Sequence, residues 1–94
     1  MNKIYQPTSG EALIRAKLGW LIPGEVPETQ FWLLVGISSM HSKKMISALM
    51  DYLVNGISRK DACNLHKVNS GHFSIGLGRL QNISHSVSKL SEYY

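Results

Sequence analysis

Apolar side chains recur at helical spacing along much of this chain. The clearest example lies between residues 42 and 55, where one face is apolar and the opposite face carries lysine, serine and aspartate. This pattern predicts an amphipathic helix, with Gly56 placed to close it in a left-handed conformation. The apolar stripe consists of Met45, Ile46, Leu49, Leu53 and Val54.

The N-terminal part of the chain predicts a small arm that is less ordered than the rest. Residues 1–8 are predicted to form a loose lead-in. Ser9 is placed to cap a short helix that runs to about Leu18 and that Gly19 ends. Residues 22–27 contain two prolines and a glycine, which break any regular element, so they are predicted to be a connector.

The segment ETQFWLLVGI, residues 28–37, is apolar around nearly its whole circumference. Either a strand or a buried helix gives such a run, but the preceding Pro27 and the opening Glu28 favour a helix. Because no polar face remains, nearly every side of this helix must be covered. The cover is either the core of the same chain or a second subunit, and the sequence leaves both open.

Residues 58–80, SRKDACNLHKVNSGHFSIGLGRL, predict two helices joined by a tight turn. Ser58 can cap the first helix, and Asn69 or Ser70 can cap the second. The small side chain of Ala62 lets the two helices cross closely, as a helix-turn-helix requires. The side chains predicted to face inward are Ala62, Leu65, Val68, Phe73, Leu77 and Leu80.

The apolar spacing of the second motif helix continues towards the end of the chain. Leu80, Ile83, Val87, Leu90 and Tyr94 are separated by three, four, three and four residues, a seam of the coiled-coil type. This seam is predicted to pack on the apolar segment near residue 32 or on a partner subunit. The fold class that follows is a single all-α domain, residues 1–94, of about five helices.

Charge and composition narrow the function. The chain has 94 residues and a formal net charge of +4, and from residue 57 to residue 90 five lysines and arginines stand against one acid. This bias favours a polyanionic partner. The single cysteine excludes an internal disulfide and suits a reducing, cytoplasmic setting. No signal peptide is expected, because the N-terminal residues lack a continuous apolar core. No membrane-spanning segment is expected either, because the longest apolar run is too short.

The polar side chains of the motif are suited to contact with double-stranded DNA. Arg59 can reach a phosphate or enter a narrow A/T-rich minor groove, and the lysines can act as point charges on phosphates. Asn69 is better placed as a cap than as a base contact. The candidate contacts are Arg59, Lys60, Lys67, Asn69, Ser70, His72, Ser74 and Arg79.

Two features of the motif remain open at this level. Cys63 is explained first as a small buried side chain, with a redox-sensing thiol and a zinc ligand beside His66 and His72 as alternatives. Three glycines at 71, 76 and 78 are unusual in a helix. They let the backbone come close either to DNA or to another helix.

This chain resembles the PapB-type regulators of adhesin and fimbrial biosynthesis. Four segments carry the resemblance: FWLLVGISSMHS, DYLVNGISRKDAC, NSGHFSIGLGRL and the terminal YY. The resemblance covers residues 31–94. It implies a small all-helical bacterial transcription regulator, associated with the nucleoid, that self-associates and binds A/T-rich repeats upstream of fimbrial operons.

The resemblance also implies roles for particular residues. Arg59 and Cys63 correspond to an arginine and a cysteine that matter for DNA binding in the family. His72 occupies a position linked to self-association, where the family commonly has tyrosine. The remaining positions linked to self-association are Leu33, Leu34, Asp51, Tyr52, Leu53 and Val54.

Other function classes receive less support. No arrangement of a nucleophile with a base and no glycine-rich phosphate loop after a strand is visible, so neither enzymatic activity nor a cofactor, metal or small-molecule ligand is expected. The main alternative to DNA binding is a module that docks on transcription or recombination machinery without touching DNA. A second alternative is a metal or redox sensor centred on Cys63.

Overall fold

The computed structural model describes residues 9–94, without the side chains of Ser9 and of residues 11–13. The predicted lead-in and the capping role of Ser9 lie outside the described residues. All regular structure in the described part is helical, which confirms the all-α class with five α-helices. They are α1 (Ser9–Lys17), α2 (Glu28–Ser38), α3 (Lys43–Leu53), α4 (Arg59–His66) and α5 (Ser70–Leu90), followed by a 3-10 turn, Ser91–Tyr93.

The core lies where α2, α3 and α5 pack together, with α4 resting on α3. The predicted apolar stripe of α3 is confirmed: Leu49 and Leu53 are completely buried, and Met45, Ile46 and Val54 pack around them. Ser42 caps this helix, because its Oγ accepts a hydrogen bond from the Met45 amide at 3.3 Å. The largest fully buried side chains are Phe31, Phe73, Leu49, Leu53 and Leu80.

Helix α2 has one covered face and one open face. Phe31, Leu34 and Val35 are buried in the core, whereas Trp32, Leu33 and Ile37 are exposed. Sequence alone left open whether this segment is a core helix or a surface for a partner. The structure shows a core helix whose outer side is an apolar surface.

Glycine at position 76 permits the close crossing of α3 and α5. A Cβ atom built there would lie 3.0 Å from the Met45 sulfur and 3.2 Å from its Cγ. Gly78, in contrast, has nothing within 4 Å of such a Cβ atom. One of the three unusual glycines therefore serves helix packing, and another faces open space.

The connector between α1 and α2 is tied to the end of α3. Leu21 and Val26 are buried, and the amides of Gly24 and Val26 donate to the carbonyls of Tyr52 and Leu53, each at 3.1 Å. The last carbonyls of a helix lack partners within the helix, and the connector supplies two of them here. The sequence pattern predicted a break in this region but not its contribution to the core.

The end of α1 and the following turn lie on the C-terminal half of α5. The Gln81 side chain accepts from the Leu21 amide at 2.7 Å and donates to the Leu21 carbonyl at 2.9 Å. Ser88 Oγ donates to the Lys17 carbonyl at 3.1 Å, and the Trp20 and His85 rings stack with centroids 4.1 Å apart. The side chains of α5 thus hold the turn that leaves α1.

The predicted continuation of the second motif helix beyond Leu80 is confirmed, but its apolar seam is covered only in part. Leu80 is completely buried and Ile83 packs against the core, whereas Val87, Leu90 and Tyr94 are exposed. The seam therefore leaves the core in the last two turns of α5. None of the helices in residues 9–94 combines the length and the apolar character needed to span a bilayer.

Candidate nucleic-acid interface

Both helices of the motif begin at a side-chain cap. Ser58 Oγ accepts from the Asp61 amide at 3.1 Å, and Asn69 Oδ1 accepts from the amides of Gly71 and His72 at 2.8 and 3.3 Å. The structure therefore assigns the second cap to Asn69 rather than to Ser70. With its side-chain oxygen accepting two backbone hydrogen bonds, Asn69 sets the start of α5.

The turn between α4 and α5 is closed by Lys67 in the left-handed conformation, with φ of 54°. The amide of Val68 donates to the Cys63 carbonyl at 2.9 Å, and the Val68 side chain packs against the core. A left-handed residue that ends one helix lets the next begin after a few residues. The prediction that Val68 faces inward is confirmed.

Helix α4 turns Ala62 and Cys63 inward, and both are buried. The prediction that Leu65 shares this inward face is wrong, because its side chain is 67% exposed. Leu65, three residues after Ala62, points about 60° away from it around the helix axis. Cys63 points away from Ala62 in the opposite sense. Because the inward face lies between Ala62 and Cys63, Leu65 is turned to the surface.

A side-chain hydrogen bond joins the ends of α3 and α4. Asp51 Oδ2 lies 2.6 Å from His66 Nε2, and Asn55 donates to Asp51 Oδ1 at 2.8 Å. The hydrogen bond from His66, followed by that from Asn55, holds the pKa of the Asp51 carboxyl below its usual value. The last turn of α4 is therefore fixed to the helix beneath it.

The zinc arrangement considered for Cys63 does not form among the described residues. His66 is paired with Asp51, and the Cys63 thiol is buried in the core. No three His, Cys, Asp or Glu side chains in this part of the chain come close enough to share a metal ion. Cys63 thus contributes packing beneath the outer surface of α4.

Arg59 is folded back from α4 onto α5. Its Nη2 donates to the Ser70 carbonyl at 3.0 Å and also to Ser74 Oγ. The guanidinium carbon lies 5.1 Å from the centroid of the buried Phe73 ring. The side chain expected to reach a phosphate is therefore engaged within the protein, at the junction of the two motif helices.

The outer surface of the motif carries the remaining predicted contacts. Lys60, Lys67 and Arg79 are exposed, as are the polar side chains of the first turns of α5. A shallow groove separates α4 from the start of α5. The residues lining this groove are Arg59, Lys60, Cys63, Asn64, Val68 and Ser70.

Sequence reasoning missed Ile75 as a component of this surface. Its side chain is 67% exposed in the N-terminal half of α5, on the side opposite the buried Phe73 and Gly76. Gly71 and Gly78 lie four residues before it and three after, so the same face carries little side-chain bulk. The sequence does contain an indication that Ile75 is exposed, because this residue falls outside the apolar stripe of α5.

The residues expected at a subunit interface are separated by the fold. Leu33 is 65% exposed on α2, whereas its neighbour Leu34 is buried. At the end of α3, Leu53 is completely buried, and the Tyr52 ring packs edge-on against Phe73 with centroids 5.5 Å apart. Val54 is half-buried and packs on the core.

Comparison with known proteins places this chain in a family. The model of the family described as PapB, adhesin biosynthesis transcription regulatory protein, matches residues 1–94. The AFA-III adhesin operon regulatory protein of Escherichia coli is 51% identical over 76 residues, 81% of this chain and 75% of that protein. The operon regulatory protein PapB of Escherichia coli is 45% identical over 87 residues, 92% of this chain and 84% of that protein.

A solved structure shares the fold. The crystal structure of Escherichia coli FocB is similar to this chain with a TM-score of 0.75 and 46% sequence identity. The match covers 92% of this chain and 99% of FocB. The likeness therefore extends over the described helices and not only over the motif.

Proposed function

The chain belongs to the PapB family of adhesin biosynthesis transcription regulatory proteins, and on that basis we propose how it acts. It regulates transcription of an adhesin or fimbrial operon by binding repeated A/T-rich sites in double-stranded DNA as an oligomer. It acts on the bacterial nucleoid in the cytoplasm. The activity involves no catalytic step, cofactor or small-molecule ligand.

One observation carries the DNA-binding part of the proposal: the motif presents an exposed face of cations, small residues and short polar side chains. Lys60, Lys67 and Arg79 are exposed around the outer side of α4 and α5. Such side chains neutralise phosphates and set the register of a protein on a duplex. Ser70, His72 and Ile75 then lie nearest the bases.

Within this proposal, two predicted contact residues act indirectly and do not touch DNA. Cys63 is buried, and Asn69 Oδ1 is occupied by two backbone amides. They shape the surface that meets DNA. Ile75 adds an apolar side chain of the kind that contacts a thymine methyl group.

The proposal is tested by measuring affinity for a labelled A/T-rich duplex at several salt concentrations. Counterion release makes the logarithm of affinity fall linearly with the logarithm of salt concentration. We expect Lys60→Ala and Lys67→Ala each to reduce the slope by about 0.9. Lys89→Ala, about 15 Å along α5 from Arg79, is the matched control and should leave the slope unchanged.

Two results would contradict DNA binding by this surface. Wild-type protein that binds no duplex at low salt would favour the alternative module that docks on other proteins. Salt slopes that change with Lys89→Ala but not with Lys60→Ala would place the DNA on another surface. A G/C-rich duplex of equal length tests base preference in the same titration, and equal affinity for the two would contradict A/T selectivity.

The oligomer is proposed to form through the open apolar side of α2 and the end of α5. Leu33, Ile37, Val87 and Leu90 are all exposed there, and Leu33, Ile37 and Val87 line one groove. Exposed apolar patches of this kind mark interfaces. The family resemblance also links residues 51–54, at the end of α3, to self-association. Of these, the half-buried Tyr52 and Val54 offer apolar surface, whereas Asp51 binds His66 and Leu53 is buried.

Leu33→Asp is expected to shift the protein to a smaller mass, because a carboxylate would be desolvated in the interface. Light scattering at matched concentrations measures the mass. Leu65→Asp is the control, since Leu65 is 67% exposed and Leu33 65% exposed, on different helices. Leu34 is unsuitable because it is buried in the core. An unchanged mass for Leu33→Asp would contradict this interface.

A further inference from the structure

We propose that Arg59 serves DNA binding as a positioning residue, by holding α5 against α4, and not as a phosphate contact. This inference rests on the proposed DNA-binding function and concerns how its recognition surface is kept in place. It alters the expectation from sequence, in which this guanidinium reaches a phosphate or a minor groove.

The contacts of Arg59 are directed at the first two turns of α5. Nη2 donates to the backbone carbonyl of Ser70 and to the hydroxyl of Ser74, two acceptors one helical turn apart. A carbonyl oxygen has two lone pairs, so Ser70 can accept this bond while remaining part of the helix. Both acceptors belong to the part of α5 that carries the outward polar face.

The third contact connects Arg59 to the core. Its guanidinium carbon lies 5.1 Å from the Phe73 centroid, and the Phe73 ring meets Tyr52 of α3 edge-on at 5.5 Å. Cation–π attraction favours a guanidinium over an aromatic face. Helices α3, α4 and α5 are thus joined through a chain of three side chains: Tyr52, Phe73 and Arg59.

Lys60, on the same turn of α4 as Arg59, is the side chain that is available for contact with a phosphate. Lys60 is exposed and forms no side-chain hydrogen bond with any described residue. Arg59 is half-buried and has two acceptors. If the Arg59 guanidinium moved to a phosphate, it would lose its hydrogen bonds to Ser70 and Ser74 and its contact with the Phe73 ring. It therefore cannot contact a phosphate and keep these three contacts at the same time.

The consequence is geometric. The buried Ala62 and Cys63 and the turn residue Val68 belong to the same core as Phe73 of α5. Arg59 adds a directional tie between α4 and the first turns of α5, through its hydrogen bonds to Ser70 and Ser74. Losing it lets the first turns of α5 change their angle to α4, which moves His72 and Ile75 relative to Lys60.

The test compares Arg59→Lys, Ser74→Ala and the double variant in the salt titration. Arg59→Lys keeps the charge but loses the planar fork, and Ser74→Ala removes an acceptor without changing charge. We expect each to weaken binding by about threefold to tenfold at an unchanged salt slope. Because both break the same tie, the double variant should lose no more than the larger single effect.

Two controls and one measurement without DNA complete the design. Ser86→Ala repeats the serine change at an exposed position of α5 and should leave affinity unchanged. Lys60→Ala marks a phosphate contact through its reduced slope. In the free protein, Arg59→Lys should shift the amide resonances of Ser70, Phe73 and Ser74 in a nitrogen–proton correlation spectrum, and Lys60→Ala should leave the Phe73 amide unshifted.

Three results would overturn the inference. The first is wild-type DNA affinity for Arg59→Lys together with a salt slope reduced by about 0.9 for Arg59→Ala. The second is fully additive losses of affinity in the double variant, and the third is unshifted α5 amide resonances in Arg59→Lys. Failure of the wild-type protein to bind DNA would instead count against the proposed function. In that case the spectrum of the free protein still decides whether Arg59 positions α5. Thermal unfolding of every variant checks that binding is measured on folded protein.

Discussion

Phe73→Ala is expected to lower the free energy of unfolding by about 3–5 kcal/mol and to abolish DNA binding near physiological temperature. Phe73 is completely buried at the point where α3, α4 and α5 meet. Removing the ring leaves a cavity beneath Tyr52 and takes away the surface on which the Arg59 guanidinium rests. A loss of this size consumes much of the total stability of a small domain.

Urea denaturation followed by circular dichroism measures this loss. Phe73→Leu is the matched control, since it retains a large apolar side chain; we expect a smaller decrease and DNA binding that persists at low temperature. A decrease of less than about 1 kcal/mol in the unfolding free energy of Phe73→Ala would be well below the loss expected for removing a core phenylalanine. It would show that this ring is not part of the core.

Gly19→Ala is expected to destabilise the protein by about 2–4 kcal/mol and to release α1 from α5. Gly19 has φ of 82°, which disfavours any residue with a Cβ atom. The added methyl group would also lie 2.5 Å from Ser88 Cβ and 2.7 Å from the Ser84 carbonyl. A carbonyl of the helix backbone cannot move aside as a flexible side chain can.

Hydrogen exchange locates the damage, and denaturation measures its size. The Leu21 amide, which donates to Gln81, should lose protection first. Gly78→Ala is the control: with open space around its Cβ atom, this helical position should gain up to about 1 kcal/mol. Equal effects of the two changes would show that neither conformation nor crowding at Gly19 matters.

The two halves of α5 therefore have different tasks. Its first turns carry the polar face proposed to meet DNA and are held by Asn69 and Arg59. Its last turns hold the α1 turn through Gln81 and Ser88. Phe73→Ala acts on the first half and Gly19→Ala on the second, so DNA binding at low temperature should be less sensitive to Gly19→Ala.

Local patterns were sufficient for the helices of this protein. The spacing of Met45, Leu49 and Leu53 predicts α3, because periodicity depends on residues close in the chain. For the same reason, Ser58 predicts the start of α4, and Asn69 or Ser70 predicts that of α5. The resemblance of four sequence segments likewise predicted the family to which the chain belongs. These are properties that a sequence carries without knowledge of its packing.

Tertiary structure decided which residues of each local pattern are buried and which partners they contact. Leu65 is turned to the surface although its spacing suited the core, and Arg59 is directed at Ser70 and Ser74 rather than outward. Gly76 serves the crossing with α3, whereas Gly78 faces open space. Each outcome depends on the crossing angle of helices and on partners distant in the chain, which local spacing does not encode.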